Sequence, residues 1–327
     1  MPPRAFRPLP ALTRRVWLGA AAGTVAATGP ADAQGYPTRP VRLVIPYPAG
    51  GSTDLLGRLT GTKLSERLGQ PVVVENRAGG GTLVGAEVVM RSPPDGHTLF
   101  YITSAFVTSF LINRPGVNLV DAFAPVSLGL SGSIFVVAHP SLPVRTIPEL
   151  IAHAKANPGR LNVAHPGVAT TNHLSAELFY RMAEVDMVSV PFPGNAACLT
   201  SLMRGDVQLA FVSIPDAQPF LADGTLRAIA VTGRRRSGAL PDTPTIGETL
   251  PGYEASFWYG IAAPAGTPPA ILQRLNRELD DIARLPEVRD RILSIGAEPE
   301  GGEAEALSRR IASEAEQWAR VIRLLNL

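Results

Sequence analysis

Two glycines, two hydroxyl residues and a carboxylate stand together where an apolar strand-like stretch meets a helix-like run. The segment reads IPYPAGGSTDLL over residues 45–56. Glycine adopts backbone angles that other residues avoid and lets a bound molecule approach the main chain. The first turn of a helix offers unpaired N–H groups and a partial positive charge, so a carboxylate or phosphate binds there without a lysine. The pattern predicts an anion-binding turn made by residues 50–54.

Asp54 is the one member of this turn that would repel an anion. Three roles are open to it from the sequence: it caps the helix, it accepts a hydrogen bond from an amine or hydroxyl of a ligand, or it binds a bridging water. Tyr47, just before the turn, either lines the same site or packs in the core. We keep both residues in the predicted site.

The same design recurs twice further along the chain. The strand-like RLNVAH (160–165) runs into PGVATT (166–171), and VSVPF runs into Pro193-Gly194-Asn195 before another helix-like stretch. One such joint alone is ordinary, because most strand-to-helix connections are built this way. Three joints at the carboxyl ends of strands indicate a ligand site, since open α/β sheets bind ligands there.

The alternation of strand-like and helix-like segments predicts an α/β protein of two domains. A chain of 327 residues suits two domains of roughly 150 residues each. We predict that the first domain takes 36–132 and 253–327, and that the second is an insertion at 133–252. After the strand-like stretch 254–264 we predict three helices and no further strand. Two crossings between the domains would leave a cleft, which is a common place for a ligand.

The first 33 residues have the features of a secretory signal. They combine four arginines, a short apolar stretch and an Ala31-Asp32-Ala33 cleavage pattern. Arg14 and Arg15 also fit a twin-arginine signal, so the sequence leaves the Sec and twin-arginine routes open. Without this segment, which carries four Arg and one Asp, the chain has 26 basic and 27 acidic side chains. This balance does not favour nucleic acid as a partner.

The remaining composition argues against metal or covalent chemistry. Cys198 is the only cysteine, and the five histidines lack metal-ligand spacing. No nucleotide-binding GxxxxGK[ST] motif is present. We therefore predict no cofactor, no metal and no catalytic residue. The rival prediction is an enzyme that uses Asp54 or His165 as acid or base, but a nucleophile or base with an orienting partner is not evident.

At these joints the sequence resembles the periplasmic substrate-binding proteins of tripartite tricarboxylate transporters, the Bug family. The resemblance covers nearly all of the chain after the signal. It is carried by YPTRPVRLVIPYPAGGSTD (36–54), LGQPVVVENRAGGG (68–81), PDGHTL (94–99), PGVATTNHLSAELF (166–179), VPFPGNAA (190–197), LRAIAVTGRRRSGALPDTPTIGE (226–248) and WYGIAAPAGTP (258–268).

The resemblance implies a two-lobe binding protein of the Venus-flytrap type, with two crossing strands and a central cleft that holds a small carboxylate. It implies a periplasmic, monomeric protein that serves a membrane transporter, with delivery to a sensor kinase as the alternative. Combined with the joints, it predicts ligand contacts from Tyr47, Ala49, Gly50, Gly51, Ser52, Thr53, Asp54, His165, Gly167, Ala169, Thr170, Thr171, Phe192, Gly194 and Asn195.

This chain departs from the family pattern at four places in the predicted site. The family usually has serine at His165, glycine at Ala169, Tyr-Lys at Phe192-Pro193 and aspartate at Val212. These changes remove a hydroxyl and an amine from the site, so we expect a less polar pocket. His165 is either a hydrogen-bonded spacer or a ligand contact whose charge changes between about pH 5 and 8.

Overall fold

The computed structural model describes residues 35–114 and 118–325. The predicted signal segment therefore lies outside the described residues. The strands are β1 Val41–Ile45, β2 Val72–Asn76, β3 Thr98–Thr103, β4 Phe123–Ala138, β5 Asn162–His165, β6 Val188–Pro191, β7 Leu209–Ser213, β8 Arg227–Val231, β9 Ser256–Pro264 and β10 Ala297–Pro299. The helices are α1 Ser52–Leu68, α2 Leu83–Met90, α3 Ser104–Asn113, α4 Ile147–Ala156, α5 Thr171–Ala183, α6 Asn195–Arg204, α7 Ile214–Ala222, α8 Pro269–Ala283, α9 Pro286–Leu293 and α10 Ala304–Leu325.

The long strand β4 belongs to two groups of strands. Its first part, residues 123–133, pairs antiparallel with β9, and β10 pairs with the same part at 130–132. Its last part, residues 134–138, pairs antiparallel with β7 and β8. Lobe 1 is the group formed by β2, β1, β3, β9 and the first part of β4. Lobe 2 is the group formed by β6, β5, β7, the last part of β4 and β8. The chain passes from one lobe to the other within this strand.

Both lobes have the same arrangement of parallel strands. In lobe 1, β1 lies between β2 and β3 and is parallel to both. In lobe 2, β5 lies between β6 and β7 and is parallel to both. Each set of three is followed by an antiparallel neighbour, β9 in lobe 1 and β4 in lobe 2. The loops that leave the carboxyl ends of the three parallel strands therefore share one edge in each lobe.

The C-terminal helix α10 connects the two lobes. Buried residues recur along this helix every three to four positions or at a multiple of that spacing, which gives it one apolar stripe. The stripe includes Leu307, Ile311, Trp318 and Ile322. This stripe packs against β4 and α3, and the helix also contacts α5 of lobe 2. The largest buried apolar cluster accordingly contains side chains of both lobes, among them Phe106 of α3 and Phe179 of α5.

The structure corrects three expectations about the elements. The apolar run SIFVVAH predicts a strand at 133–139, but the observed strand begins ten residues earlier, at Phe123. Helix α3 follows β3 without a break, where the sequence did not indicate a helix. The expectation of no strand after β9 is wrong, because β10 pairs with β4 between α9 and α10. Small residues in SLGLSGS weaken the strand pattern, while SAFVTSF is rich in residues that also suit a strand.

Candidate functional site

One cavity lies between the carboxyl edges of the two lobes and has a volume of about 930 Å³. Lobe 1 contributes the loops after β1, β2 and β3, and lobe 2 contributes the loops after β5, β6 and β7. The lining residues of lobe 1 include Pro46, Tyr47, Pro48, Ala78, Gly79, Gly80, Gly81, Thr82, Thr103, Ser104, Ala105, Thr108, Ser109, Phe257 and Tyr259, and those of lobe 2 include Val168, Ala169, Thr170, Thr171, Asn172, Asn195, Ser213, Pro215 and Asp216.

The loop after β1 is shaped by the carboxylate of Asp54, which is buried in the first turn of α1. Its Oδ2 accepts from the N–H of Gly50 and from Nε of Arg58, both at 2.9 Å, and its Oδ1 accepts from Nδ2 of Asn76 at 2.8 Å. The hydrogen bond from Arg58, with those from Gly50 and Asn76, lowers the pKa of Asp54 to about 2 against the opposing effect of burial. The side chain therefore organises the turn as an anion.

The loop after β2 packs tightly on α3. A Cβ added to Gly81 would lie 2.5 Å from Oγ of Ser109, and Gly81 has a φ of +60°, so glycine is required there on both grounds. The next residue, Thr82, is buried and has a positive φ of 94°. Its hydroxyl is buried and has no hydrogen-bond partner among the described residues, although Thr82 lines the cavity. This hydroxyl therefore lies unpaired at a residue that borders the cavity.

Helix α3 begins directly at the end of β3, and its first turn lines the cavity at Ser104 and Ala105. The strand-to-helix junction is fixed by Thr103, whose hydroxyl lies 3.1 Å from the hydroxyl of Tyr47. Burial raises the pKa of Tyr47 to about 12, so this phenol stays neutral. The N–H groups of a first helical turn have no partner within the helix, and the first two residues of this helix line the cavity.

The loop after β5 is fixed by two histidines that stack at a centroid distance of 4.2 Å. His165 Nδ1 lies 2.9 Å from the carbonyl of Gly167, and His173 Nδ1 accepts from the N–H of Ala169 at 3.1 Å. His173 Nε2 lies 3.6 Å from the carboxylate of Glu177. Burial, with the neighbouring imidazole of His173, lowers the pKa of His165 to about 4. The pair shapes the loop from behind the cavity.

Thr170 closes the same loop and caps α5. Its Oγ1 donates to the carbonyl of Gly167 at 2.7 Å and accepts from the N–H of His173 at 3.3 Å. Ala169 has a φ of +60°, a left-handed conformation that favours the glycine usual in the family. The first turn of α5 faces the cavity at Thr171 and Asn172. Two helix starts, those of α3 and α5, thus meet the cavity from opposite lobes.

The loops after β6 and β7 are joined by Asn195, the first residue of α6. Its Nδ2 donates to Oδ2 of Asp216 at 2.8 Å and to Oγ of Ser213 at 2.9 Å. Its Oδ1 is buried without a partner among the described residues. Gly194 precedes the helix with a φ of +95°, and Phe192 packs against the apolar cluster of lobe 2.

The predicted site residues fall into two groups in the structure. Tyr47, Ala169, Thr170, Thr171 and Asn195 line the cavity. The others stand outside its lining. In lobe 1 the turn 49–51 is exposed, Ser52 starts α1, Asp54 is buried behind its loop, and Thr53 is buried with its hydroxyl 3.1 Å from that of Tyr259. In lobe 2 His165 is buried behind its loop, and Gly167, Phe192 and Gly194 are partly buried. Contact with a ligand stays a prediction for the residues of both groups.

Sequence reasoning missed much of the lining of lobe 1. The sequence predicts only a GGG turn at 79–81, and Ser104, Ala105, Phe257 and Tyr259 were not selected. A usable signal was present, because β2 and β3 each end in small and hydroxyl residues, as β1 does. In lobe 2 the acidic residue Asp216 was also missed, since it lies three residues beyond the end of β7.

Groups for metal or nucleophilic chemistry are not assembled in the described part of the chain. It contains no cluster of three or more His, Cys, Asp or Glu that could hold a metal ion. Cys198 is buried, and burial raises the pKa of its thiol to about 11, so the reactive thiolate is disfavoured. None of the helices in this part of the chain is long and apolar enough to cross a membrane.

Two α/β lobes, a strand that passes between them and a cavity between their carboxyl edges define a periplasmic-binding-protein fold. The chain belongs to the TctC family: the model of the "Tripartite tricarboxylate transporter family receptor" matches residues 56–327. A UPF0065 protein of Pseudomonas sp. (strain P51) is 35% identical over 313 residues, which cover 94% of this chain and 93% of the relative. BugT of Bordetella pertussis is 31% identical, with 94% and 95% covered.

Solved structures of similar proteins include two with bound acids. R. palustris Rpa4515 with adipate is 35% identical at a TM-score of 0.71, covering 88% of this chain and 97% of that one. MatC from Rhodopseudomonas palustris with bound malate is 31% identical at a TM-score of 0.68, covering 88% and 100%. A ligand-free TctC solute-binding protein from Polaromonas is 26% identical at a TM-score of 0.82, covering 88% and 99%. These homologues are solute-binding proteins.

Proposed function

We propose that this protein is an exported, periplasmic solute-binding protein that captures a small organic acid between its lobes and does no chemistry on it. The observation that supports this best is the cavity itself, which is bordered by the first turns of α3 and α5 from opposite lobes. Among the described residues its lining contains neither lysine nor arginine, which supports binding of the anion by other donors.

Main-chain N–H groups are the donors that we assign to the carboxylate. The first-turn N–H groups at Ser104 and Ala105 in lobe 1, and at Thr171 and Asn172 in lobe 2, border the cavity without partners in their own helices. Each helix start adds a partial positive charge that favours an anion by about 0.3–1 kcal/mol. The unpartnered hydroxyl of Thr82 adds a further donor.

Closure of the lobes is the expected response to the ligand. A ligand shifts a conformational equilibrium only if it binds one state more tightly. An acid that contacts helix starts of both lobes gains its full set of hydrogen bonds only when the lobes approach. The exposed turn 49–51 follows directly on the cavity-lining Pro48, and we propose that it joins the ligand contacts on closure.

Membership of the TctC family supports a membrane transporter as the recipient of the ligand. We propose that the monomeric protein, after export through the segment 1–33, delivers its acid to the membrane subunits of a tripartite tricarboxylate-type transporter. Presentation of the acid to a sensor kinase is the alternative within the same binding function. The export route stays open between Sec and twin-arginine.

Release of the native ligand tests the proposal. The protein is purified gently from cells and denatured, and the released molecules are identified by mass spectrometry. We expect a small carboxylic acid in near-stoichiometric amount. Thermal-shift measurements then compare that acid with its neutral amide, and we expect the acid alone to stabilise the protein. Equal stabilisation by acid and amide, or conversion of the acid to a product on incubation, would contradict carboxylate binding without catalysis.

A further inference from the structure

Asp216 is the one charged side chain in the cavity lining of the described residues, and this lining has no lysine, arginine or histidine. The residue lies in the first turn of α7 and is exposed. A ligand with carboxylates at both ends would therefore meet one like charge in this cavity and no opposite charge on any lining side chain. This charge pattern distinguishes among the small acids that the site admits.

The carboxylate of Asp216 is held in place and still has acceptor capacity. Nδ2 of Asn195 donates to Oδ2 of Asp216 at 2.8 Å, which orients the carboxylate within lobe 2. None of the ion pairs among the described residues involves Asp216. A carboxylate accepts about four hydrogen bonds, so most of its capacity is available to a ligand.

A second polar atom beside Asp216 also lacks a partner. Oδ1 of Asn195 is buried and accepts no hydrogen bond from the described residues. Asn195 and Asp216 both line the cavity. The exposed carboxylate of Asp216 is therefore the acceptor that this pair offers to the cavity, while the amide oxygen of Asn195 lies buried beside it. A ligand group with N–H donors satisfies the carboxylate, whereas a second carboxylate on the ligand does not.

Closure makes this pairing important for affinity. When the lobes close and water leaves, a carboxylate without a partner loses its hydration and destabilises the complex. An ammonium group removes that cost and forms a charge-assisted hydrogen bond. The helix starts of α3 and α5 remain available for a carboxylate at another position on the same molecule.

We propose that Asp216 selects the ligand class: the preferred ligand is an amino carboxylate whose ammonium group pairs with Asp216. This inference rests on the proposed carboxylate binding and adds the second charged group of the ligand.

Matched sets of acids with equal carbon chains test this inference. The sets are β-alanine, malonate and propanoate; γ-aminobutyrate, succinate and butanoate; δ-aminovalerate, glutarate and pentanoate; and ε-aminocaproate, adipate and hexanoate. Dissociation constants are measured by calorimetry on protein that has been unfolded and refolded to remove any bound ligand. The variants are Asp216→Asn, which keeps the shape, and Asp206→Asn, which changes an exposed aspartate of lobe 2 outside the cavity.

In at least one set, the amino acid should bind at least about tenfold more tightly than the diacid, which corresponds to about 1.4 kcal/mol. Asp216→Asn should reduce that ratio to within about threefold, mainly by weakening the amino acid, and Asp206→Asn should leave it unchanged. The inference is overturned if diacids bind as tightly as amino acids, if Asp216→Asn keeps the ratio, or if no amino acid binds. Diacid binding would leave the proposed carboxylate function intact, which is judged separately by the molecule released from the native protein.

Discussion

Single hydrogen bonds determine the shape of the turn that leads into α5. Thr170 connects the carbonyl of Gly167 to the N–H of His173, while His173 receives the N–H of Ala169. These bonds hold Ala169 in its left-handed conformation and keep the first turn of α5 directed at the cavity. At the residue scale, the shape of the site therefore depends on a few hydrogen bonds within this loop.

Replacement of Thr170 by alanine tests the cap. Thr170→Ala should lower the free energy of unfolding by about 0.5–2 kcal/mol, because the N–H of His173 loses its acceptor, and should weaken binding of the released native acid. Thr170→Ser keeps the hydroxyl and is the matched control, with smaller losses in both. Urea unfolding and calorimetry measure the two effects. Wild-type affinity in Thr170→Ala would show that the loop is not part of the ligand site.

Acid should destabilise the protein through His165. The pKa of His165 is about 4 in the folded protein, because burial and His173 disfavour its charge, and about 6.5 in an unfolded chain. Between these values only the unfolded chain takes up the proton. The stabilisation that neutral His165 gives the folded protein is therefore complete above about pH 6.5. It falls as the pH drops towards 4, by at most about 1.4 kcal/mol per pH unit.

The variant His165→Asn isolates this effect. Urea unfolding is followed from neutral pH to about pH 5.5, where most carboxylates are still ionised. The wild type should lose stability more steeply than the variant, whatever their stabilities at neutral pH. Parallel pH profiles for the two proteins would contradict the assignment to His165.

At the scale of elements, the two glycines in the turn after β1 differ in their backbone conformation. Gly50 has a φ of +92°, whereas Gly51 has an extended φ of −78° that any residue adopts. Neither glycine would place a Cβ within 4 Å of another group. Asp54 then ties the N–H of Gly50 to the first turn of α1. Only one of the two glycines is therefore required by the backbone.

Alanine at each glycine should separate these two cases. Gly50→Ala should destabilise the protein by about 1–2 kcal/mol, since the left-handed conformation is strained for residues with a Cβ. Gly51→Ala should leave the free energy of unfolding within about 0.5 kcal/mol of the wild type. Denaturant titration gives both values. Equal losses in the two variants would mean that φ at Gly50 is not the cause.

The elements were predictable from the sequence where their patterns were strong. The run TNHLSAELFYRMA predicts a helix at 171–183, and α5 is observed over the same residues. The run VRLVI likewise predicts a strand at 41–45, where β1 lies. The part of the candidate site in lobe 1 was harder to predict from the sequence, because α3 starts directly after β3 and no turn residue separates them. The partners of Asp54 and His165 could not be predicted from the sequence. The hydrogen bond between Asp54 and Asn76 and the stacking of His165 on His173 depend on tertiary packing.

At the scale of the whole molecule, the two lobes share one buried apolar cluster through α3, α5 and α10. The cavity lies between the carboxyl edges of the lobes. The lobe closure proposed above would narrow this cavity around the ligand.

Closure on the ligand should therefore be measurable in solution. Addition of the released native acid should lower the radius of gyration of the ligand-free protein, because the lobes approach around the cavity. Small-angle X-ray scattering detects this change, and Thr170→Ala at the same acid concentration should show less of it. An unchanged radius of gyration at saturating acid would contradict lobe closure.

A crystal structure of the protein with its released native acid tests the central claim most directly. We expect the acid in the cavity between the lobes, with its carboxylate oxygens about 2.7–3.2 Å from main-chain nitrogens at the starts of α3 and α5. An acid bound outside the cavity, or a carboxylate held by lysine or arginine side chains instead of these N–H groups, would contradict the account.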